Sequence, residues 1–292
     1  MPLEPIAAVA LQVIVPVLPT MVAIGLCGLL ERRWPVNTAA SPVRWQNVGV
    51  WLTSFLVQFV FTPALGGFTT LAVNAVGGGL IELPSSGWAL ILGVAVYLVA
   101  MDFGEYAFHR AQHAVPALWA MHSLHHSDPH FDASTTVRHF WVDPLLKTAT
   151  VWLAVGLVFK ASPLIVGLYM AFTFYNFFNH ANVRFGFGRA SWVLNSPQYH
   201  RLHHGATHDY FDINFAALLP VFDVIFGTYR RPRADEYPAT GLDSGEAPKS
   251  LVEAIAWPVR KRISGKAGEA AAVAPAEVAI ASAPSGRDRL VA

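Results

Sequence analysis

The chain has 292 residues and a formal net charge of +1; 54% of it is hydrophobic and only 13% charged, against roughly 25% charged in soluble domains. That balance points to a membrane and gives no case for nucleic acid as a partner, since no basic reader motif accompanies it. The single cysteine, Cys27, excludes intrachain disulfides, a C-x-x-C redox pair and a cysteine-ligated iron–sulfur cluster within this chain.

Ile6 to Leu30 is the first apolar run, long enough to cross a bilayer. It ends in Glu31-Arg32-Arg33 with no small-residue cleavage site, so it is expected to stay as a span. A second run covers about Val48 to Val73, followed by Gly77-Gly78-Gly79 and the turn Pro84-Ser85-Ser86-Gly87. A third starts near Trp88 and leads into Asp102. Pro144 to Phe159 and Pro163 to Phe178 read as a hairpin turned at Lys160-Ala161-Ser162-Pro163. Five crossings put nineteen of the twenty Lys and Arg residues on one side, Lys160 being the exception, and the positive-inside rule makes that side cytosolic. The fold expected is all-α and polytopic, with a cytosol-facing helical cap. Residues 1–263 are expected to form one integral-membrane domain with its core at 102–229. Within it, Leu251 to Ile263 reads as a helix that is either interfacial, with Trp257 at the headgroups, or simply solvated. Residues 264–292, rich in Ala, Pro, Gly and Ser, are expected to be disordered.

The histidines carry the chemistry. His109 and His113 form H-x-x-x-H; His122, His125 and His126 form H-x-x-H-H; and His200, His203 and His204 repeat that second pattern. On a helix, residues four apart lie about 40° apart around the axis and residues three apart about 60°, so each motif shares one face. Neutral imidazole is a ligand for zinc, copper, iron and nickel. Eight imidazoles exceed what one four- to six-coordinate ion can use, so two ions are expected. His180, at the end of the hairpin's second arm, is expected to face the cluster as a ninth ligand. His130, His139 and His208 lie in polar loops, where surface or supporting roles are expected. Ligating histidines need partners that fix their tautomer: Asp102, on one stripe with Tyr106, His109 and His113, is a candidate, as are Asn214 and Asp223. Glu105, four before His109, is either a ligand, a supporting group or an interfacial charge. Phe172, Phe174, Tyr175, Phe177 and Phe178 either line an apolar approach or pack as core. No H-E-x-x-H, G-x-G-x-x-G or P-loop pattern occurs.

The ordered set D-F-x-x-Y-x-x-H-R-x-x-H, L-W-x-x-H-x-x-H-H-S, H-A-N, P-x-x-H-R-x-H-H and F-D-x-x-F-G-T-Y, spanning Asp102 to Tyr229, resembles the fatty acid hydroxylase/sterol desaturase superfamily of integral-membrane, histidine-rich di-iron enzymes. The resemblance implies that the nine histidines hold two irons, with dioxygen as co-substrate. It also implies hydroxylation, or desaturation, of an unactivated C–H in a membrane lipid such as a sterol or fatty acyl chain. With no fused haem domain visible, electrons are expected from a separate reductase, ferredoxin or b-type cytochrome. The expected location is a bacterial inner membrane or the endoplasmic reticulum, with the site facing the cytosol. Two departures stand out: Arg138-His139-Phe140-Trp141-Val142-Asp143 where relatives carry R-x-H-P-x-E, and Asp212-Ile213-Asn214-Phe215-Ala216 where they carry N-x-N-[FY]-G. The rival reading is a non-enzymatic metal transporter or metal-binding membrane protein. Transporters commonly place their site near the bilayer midplane, whereas these clusters fall beyond span ends.

Overall fold

The computed structural model describes residues 3–37 and 43–259, with side chains at residue 15 and from residue 17 on. The tail at 264–292 and the basic end of the 251–263 segment lie outside the described residues. The chain is mostly helical: α1 (Leu3–Arg33), α2 (Arg44–Ala75), α3 (Ala89–Ala114), α4 (Pro116–His126), α5 (Asp143–Lys147), α6 (Leu153–Val158), α7 (Pro163–Thr173), α8 (Tyr175–Asn179), α9 (Pro197–His203), α10 (Val221–Phe226) and α11 (Leu251–Ile255). By length and composition, α2 and α3 are long and apolar enough to cross a membrane. Their outward faces stay apolar, with Leu56, Val60, Leu71, Ile91 and Leu92 all exposed.

The sequence places the helix starts through local chemistry. Pro116, Pro163 and Pro197 occupy first-turn positions, where a missing N–H costs nothing. Ser162 accepts the Ile165 N–H and Ser196 the Tyr199 N–H as N-caps. Gly227, at φ 75°, ends α10 in the left-handed region.

The expected hairpin is present, but its first arm is short. Helix α5, one π-helical turn (Thr148–Trp152) and α6 run on from Asp143 to Val158, a rise of about 24 Å against a hydrocarbon core of about 30 Å. Its tip is nevertheless level with the far end of the long helices. Strand β1 (Ile81–Glu82), between α2 and α3, pairs in parallel with β2 (Phe159–Lys160) at the hairpin turn. Lys160 also reaches Glu82 at 3.3 Å. Behind this end, Tyr97, Met101, Val151, Val155, Ile165 and Tyr169 form one apolar core joining α3 to the hairpin.

At the opposite end a buried polar network fastens the loop after α4. Arg138, 1% exposed, donates to the Leu124 carbonyl, Asn47 and Ser127. Asn47 in turn donates to Asp128 and Ser134. Arg44 bridges Glu31 (2.6 Å) and Asp132 (2.9 Å), and Glu31 accepts the N–H groups of Ala133 and Asn182. Residues from α1, α2 and the loops after α4 and α8 are thereby held around one edge of the histidines. Trp257 is not at a headgroup layer. It is buried against Val50, Leu124 and Phe140 and donates its Nε1–H to Ser123 at 2.9 Å, so the segment after α11 is a strap over α4.

Candidate metal centre

Helix α3 leaves its apolar part and reaches His109 after twenty residues, a rise of about 30 Å, so its histidines stand at the end of a bilayer-length helix. Helix α4 turns back against it, and α9 and the end of α8 complete the ring. All nine histidines expected as ligands come together, in two groups. His109, His113, His122, His126 and His203 form one; His125, His180, His200 and His204 form the other, and within each the nitrogens lie within 4.8 Å of one another. The groups adjoin, with the rings of His126 and His204 stacked 4.3 Å apart.

Each H-x-x-H-H motif is divided between the two groups rather than serving one. Helix α4 sends its i, i+4 pair, His122 and His126, to the first group and the intervening His125 to the second. Helix α9 does the reverse, sending His200 and His204 to the second group and His203 to the first. Residues four apart point more nearly alike than residues three apart, so an H-x-x-H-H helix wedged between two ions serves both.

The donor set fits a pair of first-row transition metals. Buried nitrogens of His109, His122, His125, His200, His203 and His204 have no hydrogen-bond partner, an arrangement that costs roughly 1–3 kcal/mol for each such atom unless a cation takes the lone pair. No carboxylate belongs to either group, and an all-imidazole set suits iron, zinc, copper or nickel over magnesium or calcium.

The atoms that fix the tautomers differ from those expected. His109 donates its Nδ1–H to the Phe215 carbonyl (2.8 Å), His203 to that of Ile213 (2.7 Å) and His180 to that of Asn176 (2.8 Å). The Nε2 atoms are thus left as the basic nitrogens facing the groups. The Nδ1 of His113 lies 3.3 Å from Asp212. Asp212 and Asn214 sit at φ 54° and 58°, the left-handed region that Asp and Asn tolerate better than most residues. They alternate with Ile213 and Phe215, whose carbonyls face His203 and His109.

Asp102 therefore needs correcting as a partner for a ligand histidine. It stands seven residues before His109, about 10 Å along the axis, and its oxygens accept the N–H groups of Leu218 and Leu219. Asp223 accepts from the Phe215 and Ala216 N–H groups, the Tyr199 hydroxyl and Thr228. Asn214 exchanges hydrogen bonds with the backbone of Arg230. All three carboxylate or amide groups hold the 212–219 loop, and through its carbonyls the histidines. Glu105 turns away from the histidines to an ion pair with Lys147 at 2.7 Å.

His208 is exposed and lies against Phe211 with the rings tilted by 55°, and His130 lies in the loop after α4. His139 stacks on His125 with centroids 4.4 Å apart. Its neighbour Asp143, 3% exposed, was not among the expected site residues, yet its carboxylate shares a 4.8 Å group with His122 and His139. The acidic sixth position of the R-x-H-P-x-E pattern was the available signal. Phe131, 1% exposed, closes the second group over the rings of His180 and His204.

Burial, reinforced by neighbouring histidines, holds His122, His125, His126, His200, His203 and His204 well below the usual imidazole pKa. Burial takes His180 down to about 3. All seven are neutral at pH 7 and able to ligate. In the unfolded chain they take protons near pH 6.5, so below that pH the unfolded state binds more protons than the folded one. Stability of the metal-free protein is therefore expected to be full above about pH 7 and to fall with each step from 7 to 5, by up to roughly 1.4 kcal/mol per pH unit for each such histidine. Melting temperatures across that range check this; a flat profile contradicts it.

The sequence model of the fatty acid hydroxylase family matches residues 94–228, the segment that holds all nine histidines. Among curated proteins, the chain is 33% identical over 155 residues to an alkylglycerol monooxygenase of Xenopus tropicalis, covering 51% of this chain and 32% of that protein. It is 35% identical over 133 residues to the human alkylglycerol monooxygenase (45% and 29%). It is 28% identical over 183 residues to an ornithine lipid hydroxylase of Rhizobium tropici (61% and 55%). The matched region thus spans about a third of the alkylglycerol monooxygenases and about half of the bacterial hydroxylase. No solved structure matches the chain.

Proposed function

We propose that this chain, whose residues 94–228 match the fatty acid hydroxylase family, is an integral-membrane, two-iron, dioxygen-dependent hydroxylase of a lipid. The observation that carries this reading is the division of nine imidazoles, seven of them buried, into two adjoining groups with no carboxylate in either. His109, His113, His122, His126 and His203 hold one iron; His125, His180, His200 and His204 hold the other. Iron in these positions supplies dioxygen activation and removal of hydrogen from an unactivated C–H. The chain's own residues do the rest. The carbonyls of Ile213, Phe215 and Asn176 keep Nδ1 protonated and Nε2 available on His203, His109 and His180. Asp102 and Asp223 hold the loop that presents two of those carbonyls. Phe131 and Phe215, both almost fully buried against the rings, keep water from the site. Electrons come from a separate reductase, ferredoxin or b-type cytochrome.

Hydroxylation is preferred over desaturation because it needs one well-placed C–H instead of two. Mass spectrometry of lipids from cells with and without the gene, grown under oxygen-18, tests it. One lipid gaining a single labelled oxygen is expected. Loss of two hydrogens with no label replaces hydroxylase by desaturase.

The same reading orients the protein, with the histidines on the cytosolic side and the β1–β2 end opposite. Only Glu82 and Lys160 carry charge at that far end among residues 76–88 and 159–162. The exposed Arg189, replaced by cysteine in a Cys27→Ser background, is expected to label only from the cytosolic face of sealed vesicles. Labelling from the other face overturns the orientation.

A further inference from the structure

The Glu105–Lys147 pair is unusual in its position. Glu105 lies one turn before His109 on α3, on the membrane side of the histidines, and Lys147 ends α5 at the same level. Their side chains are 18% and 34% exposed, and part of that exposure is to a cavity of about 210 Å³ that both residues line. A single water needs roughly 10–15 Å³ of such space, so the cavity admits a segment of a larger molecule. Its far wall is apolar, from Leu98, Trp152, Met170 and Phe172. Of the aromatic residues that the sequence leaves open as walls of an approach or as packing, Phe172 and Tyr175 line this cavity, while Phe177 is buried in a core with Ile24, Cys27 and Val48.

Two further features tie the cavity to the metal centre. Asn176, whose carbonyl fixes His180, lines it, as do Ala217 and Leu218 of the loop that fixes His109 and His203. Tyr169, 7% exposed, also lines it, and among the described residues its hydroxyl makes no hydrogen bond. A wall built for a pure hydrocarbon gains nothing from a lysine–glutamate pair and an unpartnered phenol, since drawing the pair out of water costs desolvation and a phenol without a polar partner costs free energy. Ligand pockets typically combine apolar walls with a few such groups that set orientation.

We propose that this cavity is the substrate-recognition site and that it takes the hydroxyl- or amide-bearing segment of an amphipathic lipid. Lys147 and Tyr169 donate to the lipid's oxygens, and Glu105 accepts from its hydroxyl or N–H. The adjoining chain lies against Trp152, Met170 and Phe172. The inference rests on the hydroxylase reading and narrows its substrate: a lipid with polar atoms near the reacting carbon is selected over a hydrocarbon such as an unsubstituted carotenoid.

The test is lipid binding to the full-length protein in detergent, by native mass spectrometry, with 1-O-hexadecylglycerol and hexadecane as probes. Wild type is expected to bind the glycerol ether at least tenfold more tightly than the alkane. The double variant Glu105→Gln/Lys147→Met, which leaves no unpaired charge, is expected to lose at least fivefold of that preference while binding the alkane as before. Equal binding of the two probes by wild type overturns the proposal, as does a double variant that folds and keeps the full preference. Should that variant fail to fold, the wild-type comparison decides alone. Iron analysis of the same samples separates the two readings. A lipid preference without iron sinks the two-iron hydroxylase and leaves the pocket standing; two irons without a preference does the reverse.

Discussion

Replacing His204 by alanine is expected to remove bound metal and abolish turnover, although it deletes only one of nine imidazoles. Both ring nitrogens of His204 are buried without a hydrogen bond, and the ring stacks on His126 of the other group at 4.3 Å. Its loss therefore opens one group and releases a neighbour in the second. Outer-shell changes around a metal typically cost about 10–100-fold in affinity or activity, and the loss at a ligand in contact with both groups is expected to exceed that. His122→Ala, His126→Ala and His200→Ala are expected to behave alike. His208→Ala is the control, since His208 is exposed and belongs to neither group. Full activity in His204→Ala contradicts the two-group site.

Asp223→Ala is expected to be the most destabilising single change outside the histidines. The carboxylate, fully buried, accepts from two backbone N–H groups, the Tyr199 hydroxyl and Thr228, at 2.7–2.8 Å. Its removal leaves the Phe215 and Ala216 N–H groups and the Tyr199 hydroxyl buried without partners, each costing about 1–3 kcal/mol, for a total on the order of 3 kcal/mol or more, while Thr228 keeps the Tyr106 hydroxyl. The loop carrying Phe215 then loosens, so iron affinity is expected to fall with stability. Thermal unfolding and iron content of the same preparation check both; a change below about 1 kcal/mol contradicts this account of the loop.

The histidines were legible because imidazole at repeated helical spacing has few other uses in an apolar chain. His180 was legible too, from its place at the end of the hairpin arm, and the apolar runs marked α2, α3 and the hairpin turn. What orients the imidazoles was not, because the acceptors are main-chain carbonyls of Ile213, Phe215 and Asn176, and a carbonyl leaves no trace in residue identity. The trace that exists is indirect: Asp212 and Asn214 alternate where two left-handed conformations are needed. Asp102 misled for a geometric reason, since sharing a helix stripe with His109 does not shorten the two turns between them. For Trp257 the sequence leaves an interfacial and a solvated helix equally open, and neither fits, because a short segment cannot reveal that Ser123 waits for its indole N–H. Glu105 could be read three ways until Lys147, forty-two residues later, was seen beside it.

The central claim, that nine histidines hold two irons, is tested most directly by elemental analysis of the full-length protein purified from iron-supplied cells. Two irons per chain are expected, with X-ray absorption showing nitrogen ligation by imidazole. A protein that carries no iron, or a single ion with one group of histidines left open to chemical modification, contradicts it.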